Sequence, residues 1–213
     1  MSNDNTLLTV ALIAVVVAAV SFGVVYFNIS NMKSGINAYA TYEDNATVNV
    51  TIASSVVINF SVRELDFGQG SLVGGKFFAL LDSAQNTSQN GTWLNKTNGG
   101  LLLDNIGTQN VTIELRTFKN ATSFISPRSG VTPVPLYKFN VSNALPGSCN
   151  GSTADYDLGS FADVNTSYPG TRVCDKFGFV SGNNRIRIDI QLGIPQESLN
   201  GSLSDIISAR ASG

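Results

Sequence analysis

The uncharged run from Leu7 to Phe27 constrains this chain more than any other feature. It reads LLTVALIAVVVAAVSFGVVYF and contains no Asp, Glu, Lys or Arg. As an α-helix it would be about 31 Å long, which matches the hydrocarbon core of a bilayer. A helix that is apolar on every side needs surroundings that are apolar on every side. We therefore predict a helix over 7–27 that is covered by lipid or by a bundle of identical helices.

Three interpretations of this helix stay open. The tail 1–6, MSNDNT, lacks the basic residue of a secretory signal peptide, although Ala19-Val20-Ser21 could serve as a cleavage site. A retained membrane anchor fits both the length and the composition. A helix that packs with copies of itself in a filament would use small residues for close approach. The candidate residues for such contacts are Ala14, Ala18, Ala19, Ser21 and Gly23.

Asparagine sequons are the second strong signal. The chain has 22 Asn, and Ser plus Thr number 40 of 213 residues. Random placement would produce about four Asn-x-Ser/Thr triplets, whereas the sequence contains 13, none with Pro in the middle. This excess predicts dense N-glycosylation and a location beyond the cytoplasm. The predicted sites are Asn28, Asn45, Asn49, Asn59, Asn86, Asn90, Asn95, Asn110, Asn120, Asn140, Asn150, Asn165 and Asn200.

Alternation of apolar and polar residues predicts that the rest of the chain is mainly β. Val48, Val50 and Ile52 would face a core, with Asn49 on the opposite face. The same alternation places Asn59, Asn110 and Asn140 on outer faces, where a glycan needs to be. Candidate strands are 36–43, 46–53, 55–62, 74–81, 100–104, 110–118, 134–141, 177–181, 184–192 and 203–210.

These strands predict one Ig-like or jelly-roll β-sandwich after the helix. Turn sequences such as Asn98-Gly99-Gly100 and Gly182-Asn183-Asn184 separate the strands. We divide the chain into a polar tail (1–6), the apolar helix (7–27), a linker (28–35) and a glycosylated extracellular β-sandwich domain (36–213).

The two cysteines, Cys149 and Cys174, enclose a segment without a clear strand pattern. In an oxidising compartment we expect a disulfide between them, and closing a loop of this size stabilises a fold by about 3 kcal/mol. Two buried free thiols would be the alternative in a cytosolic protein. The sequons favour the disulfide.

Two features in polar loops allow a binding role. Asp155 and Asp157, followed by Gly159, could supply oxygen ligands to Ca²⁺, although solvated turn aspartates are the commoner explanation and the full EF-hand spacing is missing. Trp93 is the only tryptophan and lies in the polar run 86–100. It could stack on a sugar, or it could cover one end of the sandwich, which is the usual fate of a large aromatic side chain.

Composition argues against an enzyme and against a nucleic-acid binder. The chain has no His, which removes Ser-His-Asp triads and His-containing zinc sites. Net charge is −2, without the clustered basic charge that nucleic acid requires. Only Ser–Lys or carboxylate-pair chemistry is left, for which Glu64 and Asp66 are one alternating pair without a supporting motif. We predict no catalytic residues and no cofactor apart from N-linked glycans and the candidate Ca²⁺.

Three stretches of the chain, together with the apolar amino-terminal span, resemble a known group of proteins. They are INFSVRELDFGQGSLVGG, LLLDNIGTQNVTIEL and IRIDIQLGIPQESLNGSLSDIISARAS. The chain resembles archaeal secreted β-sandwich filament subunits, including TasA-like and bundling-pilus proteins, and its layout is similar to that of archaeal type IV pilins and archaellins. The first resemblance implies polymerisation by strand complementation, with residues 36–52 as the donor. The second implies a filament core of apolar helices, although Asp4-Asn5-Thr6 departs from the pilin processing site.

We expect, from these features together, a structural subunit of an extracellular filament or surface coat. Its partners would be copies of itself, and the membrane at least before assembly. A membrane-anchored adhesin or carbohydrate-binding module, with Trp93 and the 149–174 loop as its site, is the alternative hypothesis.

Overall fold

The computed structural model describes residues 3–35, 44, 46–97, 99–126, 130, 132–150, 153 and 155–213. The chain forms two compact units, Met1–Thr51 and Ile52–Gly213.

The first unit contains helix α1, Asn3–Gly35, whose 33 residues span about 50 Å. Its described side chains are exposed from Leu8 to Asn28, and this stretch is long and apolar enough to cross a membrane, a property that a signal sequence shares. The apolar helix is therefore confirmed, and it extends beyond the predicted 7–27 at both ends.

The predicted strand 46–53 is wrong. These residues lie in no strand, and Val48 and Val50 are 91% and 80% exposed. Alternation gives a segment two faces, but a strand also needs a neighbour for its backbone hydrogen bonds, and none pairs with 46–53 among the residues that the structure describes. The predicted strand 36–43 lies outside the described residues.

The described residues of the second unit form ten strands and one short helix. In chain order these are β1 Ile58–Val62, β2 Phe78–Asp82, β3 Thr87–Gln89, β4 Leu101–Asn105, β5 Val111–Thr117, α2 Ala121–Phe124, β6 Leu136–Asn143, β7 Ala162–Asp163, β8 Thr171–Phe177, β9 Arg185–Pro195 and β10 Ile207–Ser212.

The strands form two antiparallel sheets. In the seven-stranded sheet, the long strand β9 pairs with β6 along one edge and with β4 and β2, placed end to end, along the other. Strands β1, β3 and β7 extend this sheet by pairing with β4, β2 and β6. The second sheet has three strands in the order β10-β5-β8.

Side chains of both sheets contribute to one hydrophobic cluster. The predicted alternation is confirmed in β5, where Val111, Ile113 and Leu115 are buried, and in β9, where Ile186 and Ile188 are fully buried. The mainly β character of the chain after the apolar helix is thus confirmed, and all strand pairs among the described residues are antiparallel.

Ser83 fills the gap between β2 and β4 along the edge of β9. Its backbone N–H donates to the Ile190 carbonyl (3.0 Å), and its Oγ accepts the Ile190 N–H (2.8 Å) and donates to the Asp189 carboxylate (3.1 Å). Gly100 passes so close that a Cβ there would collide with the Ile188 carbonyl oxygen. Gly100 of the predicted turn therefore allows its backbone to approach the backbone of β9 closely, because it has no Cβ.

Asn105 is a fully buried polar residue at the end of β4. Its Nδ2 donates to the carbonyls of Gln109 (3.0 Å) and Phe177 (3.2 Å), and its Oδ1 accepts the Gly107 N–H (3.0 Å). Because Phe177 belongs to β8, the Asn105 side chain connects the two sheets, and it also closes the turn that follows β4.

We predict that Asn105→Ala lowers the free energy of unfolding by about 2–4 kcal/mol, because it leaves buried backbone groups without partners. Urea unfolding of the unglycosylated protein in detergent, followed by Trp93 fluorescence, measures the change. The exposed Asn200→Ala variant is the control, with an expected change within about 0.5 kcal/mol. Equal effects of the two substitutions would contradict the structural role of Asn105.

Asp104 and Arg185 face each other across β4 and β9. The guanidinium Nε and Nη2 donate to the two carboxylate oxygens over 2.6 and 3.0 Å, which holds the pKa of the Asp104 carboxyl below its usual value. Because the folded-state pKa is depressed, the pair stabilises the fold above the pKa of the unfolded carboxyl, about 3.9. That contribution is lost as the pH falls below this value and through the folded-state pKa.

We accordingly expect Asp104→Asn to reduce the loss of stability that acidification causes. Unfolding at a series of pH values between about 5 and 2 measures the slope. The exposed Asp157→Asn variant, which removes a carboxyl outside this pair, serves as the control. An acid slope that Asp104→Asn leaves unchanged would show that the pair does not contribute.

Candidate functional site

The predicted sequon asparagines lie at the surface wherever the structure describes them. Asn45 lies outside the described residues. Of the other 12 sequon asparagines, nine are exposed, three are half-buried and none is buried. The fully buried Asn105 is followed by Ile106 and Gly107 and is not a sequon. The exposed members are Asn28, Asn49, Asn59, Asn86, Asn90, Asn110, Asn120, Asn150 and Asn200, and the half-buried ones are Asn95, Asn140 and Asn165.

Several sequon side chains support the fold through their oxygen. At Asn120 the Oδ1 accepts the Ser123 N–H (2.8 Å) and caps α2, and at Asn165 it accepts the Ser167 N–H (2.9 Å). At Asn140 it lies 3.2 Å from the phenol oxygen of Tyr156, whose single proton is donated to the closer Ser160 carbonyl. An N-linked glycan is attached to the nitrogen, Nδ2, so these oxygen contacts orient the amide and leave the modified atom out of the contact.

Two sequons use the nitrogen itself. The Nδ2 of Asn95 donates to the Gly99 carbonyl (3.2 Å), and the Nδ2 of Asn28 donates to the Val24 carbonyl (2.9 Å) within α1. Asn28 is also the last residue of the candidate membrane span, Leu8–Asn28. A glycan at either position would be attached to a nitrogen that already donates a hydrogen bond. At Asn28 the glycan would also meet any lipid around the helix.

The two cysteines form the predicted disulfide, with the Cα atoms of Cys149 and Cys174 5.8 Å apart. Both residues are buried, and the Asn143 Oδ1 accepts the Cys149 N–H (2.7 Å). The expectation that the enclosed segment has no clear strand is wrong, because it contains β7 and the first three residues of β8. Strand β8 lacks clean alternation, since Val173 and Cys174 are both buried and its register with β5 shifts.

The candidate Ca²⁺ ligands Asp155 and Asp157 are both exposed, on either side of the buried Tyr156. The Tyr156 phenol donates to the Ser160 carbonyl (2.8 Å), and burial raises its pKa to about 12. Among the residues that the structure describes, no group of three acidic, His or Cys side chains could hold a metal. Within the described residues, Asp155 and Asp157 therefore have no third carboxylate beside them to complete a Ca²⁺ site.

Trp93 is half-buried and packs against the hydrophobic cluster. A Cβ at Gly70 or at Gly91 would overlap its indole, so both glycines lie directly against the ring. This packing agrees with the interpretation of Trp93 as a structural residue. It also leaves less of the indole ring exposed for stacking on a sugar.

The carboxylate pair Glu64 and Asp66 gives no acid–base arrangement. The Asp66 Oδ1 accepts the Gly68 N–H (2.7 Å), and Lys96 lies 3.1 Å from the other oxygen. The Gly68 hydrogen bond and Lys96 hold the pKa of Asp66 below its usual value. An ionised carboxylate that closes a turn is a structural element and a poor proton donor at neutral pH.

Comparison with known proteins adds no assignment: no family model, curated protein or solved structure matches this chain.

We expect replacement of both cysteines by serine to lower the free energy of unfolding by about 3 kcal/mol, because the unfolded chain regains the freedom that the cross-link removes. Urea unfolding measures the change. A reducing agent should destabilise the wild-type protein by a similar amount and leave the double variant unaffected. Equal stabilities of the wild-type protein and the double variant would contradict the expectation.

Proposed function

We propose that this chain is a structural subunit of an extracellular filament or surface coat. An Ig-like or jelly-roll β-sandwich, coated with glycans, forms the outward part of the subunit. The apolar helix holds the subunit in the membrane before assembly and contacts other copies afterwards. The observation that carries the proposal is the surface position of every described sequon asparagine.

The sequons and the disulfide support an extracytoplasmic location. All 12 described sequon asparagines are at least partly exposed, as a site of glycan attachment has to be. Disulfides persist in oxidising compartments and are rare in the cytosol. A dense glycan coat on a weakly charged domain without predicted catalytic residues suits a protein whose role is to form a surface.

The apolar helix supports assembly through small residues. Ala14, Ala18 and Ser21 are spaced by four and three residues and share one face of α1. Ala19 and Gly23 lie on the roughly opposite face. Small residues at such spacing let helices approach closely in an apolar environment. We assign the Ala14, Ala18 and Ser21 face as the helix contact.

Strand complementation is the second route by which copies could join, and it concerns the segment before β1. Residues 46–51 carry alternating exposed valines and lie in no strand. Within the described residues, β1 and β10 each have a strand on one side only. Bare edges of this kind accept a strand from another molecule unless they are protected, and the extended segment of a second copy would cover one.

The adhesin alternative has less support, because the Trp93 indole on which it depended packs against Gly70, Gly91 and the hydrophobic cluster. We therefore favour the structural subunit without catalytic residues.

Filament formation tests the assigned helix face. We predict that Ala18→Leu abolishes filaments, because the larger side chain separates packed helices, and that Ala19→Leu, the same change at the next residue, preserves them. Electron microscopy of material released from cells measures filament yield, and membrane fractionation checks that both variants insert equally. Equal yields from the two variants would contradict the assigned face, and monomers alone from the wild-type protein would overturn filament formation.

Glycopeptide mass spectrometry of native protein tests the location. We expect glycans at Asn59, Asn110 and Asn140, which lie on or beside strands with the side chain directed away from the core. Asn28 should be bare, because lipid around the end of the span excludes a glycan. Unmodified asparagines throughout, together with free thiols at Cys149 and Cys174, would overturn the extracellular location.

A further inference from the structure

The guanidinium of Arg116 lies between two aromatic rings. Its central carbon is 5.0 Å from the centre of the Phe118 ring and 5.5 Å from the centre of the Tyr168 ring. Within the described part of the chain, no carboxylate pairs with Arg116 and no group accepts a hydrogen bond from it. The rings therefore hold the guanidinium in place while its N–H donors stay available to a ligand.

Arg116 lies on the outer face of the three-stranded sheet. Along β5 it alternates with Leu115 and Thr117, which are buried. Its register partner on β10 is Ser208, and because register partners point to the same face, the Ser208 hydroxyl lies beside the guanidinium. The Phe118 side chain is 58% exposed, so solvent reaches this part of the face.

The neighbouring arginines of this face are paired with carboxylates. Arg210 donates to Glu114 over 2.7 Å, and Arg172, the register partner of Glu114 on β8, pairs with Asp175. The charges of these four side chains cancel. Arg116 therefore gives this part of the face a net positive charge, although the whole chain has a net charge of −2. Charge complementarity favours an anionic ligand.

The two rings narrow the class of anion. A guanidinium binds a carboxylate through two parallel N–H···O bonds, and the exposed surface of Tyr168, at 68%, can cover an apolar part of the same ligand. A sugar acid combines both properties, because its carboxylate is attached directly to a ring with apolar faces. The carboxylate of an acidic peptide is attached to a flexible side chain that has no such ring.

We propose that Arg116, Phe118 and Tyr168 bind a uronic acid of an acidic polysaccharide outside the subunit. Arg116 binds the carboxylate, the two aromatic rings contact the sugar ring, and Ser208 offers a hydroxyl partner to a sugar hydroxyl. The site goes beyond the proposed structural role, because it would attach the subunit to an acidic surface matrix. It uses no part of Trp93 and does not depend on polymerisation.

Fluorescence anisotropy of labelled oligogalacturonate tests the site in the full-length, unglycosylated protein in neutral detergent. Methyl-esterified oligogalacturonate keeps the sugar rings and removes the charge, whereas polyglutamate keeps the charge and has no sugar ring. We expect binding of the acidic oligosaccharide alone, weakened by sodium chloride. Equal binding of polyglutamate would show attraction of any anion, equal binding of the ester would show that charge takes no part, and either result would overturn the proposal.

Substitutions identify the residues that bind. Arg116→Ala should weaken binding at least about tenfold, because charged hydrogen bonds are lost, and Tyr168→Leu should weaken it without a change of charge. The matched control is Arg63→Ala, at an exposed arginine with no ion pair or ring contact among the described residues. Urea unfolding checks that the variants are folded. Equal affinities of Arg116→Ala and Arg63→Ala would overturn the site.

Glycosylated protein from cells separates an external polysaccharide from the chain's own glycans. The exposed sequon Asn110 immediately precedes β5, the strand that carries Arg116. We expect the glycosylated protein to bind oligogalacturonate with the affinity of the unglycosylated one. Binding by the glycosylated protein only after Asn110→Gln would show that its own glycan fills the site, and would overturn the external source. Filament formation is measured separately by microscopy and is unaffected by these outcomes.

Discussion

The rest of the β unit depends on the backbone pairing of the long strand β9 with its neighbours. It is the only described strand of the large sheet that pairs along both edges with three other strands, β6, β4 and β2. Because β2 and β4 meet end to end on one edge, the backbone at Ile190 would lack partners without Ser83. The Ser83 hydroxyl completes that edge, and Asn105 then connects the large sheet to β8 of the small one. Buried polar groups of this kind stabilise only when every partner is present.

Some of the predicted glycosylation sites also support the fold. Asn120 and Asn165 each use the carbonyl oxygen of the side chain to accept a backbone N–H. The nitrogen, to which a glycan would be attached, takes no part in those contacts. One amide can therefore support local structure and carry a sugar, which explains how a domain with so many sequons keeps its loops ordered around them.

Period-two alternation predicted strands well where the segment had at least one neighbour in the sheet. The inward residues of β5 and β9, and the outward directions of Asn59 and Asn140, followed directly from the sequence because alternate side chains point to opposite faces. The same rule failed at Val48 and Val50, which alternate but have no strand beside them. It also missed β8, where Val173 and Cys174 are buried in succession at a shift in register.

The sequence by itself determined the apolar helix, the mainly β composition, the sequons and the pairing of the only two cysteines, since each depends on residue type or short-range spacing. Only the tertiary structure decided that Asn105 is buried while the described sequon asparagines are not, that Trp93 lies against two glycines, and that Asp155 and Asp157 remain exposed around a buried tyrosine. These outcomes depend on contacts between residues far apart in the chain, which no local pattern encodes.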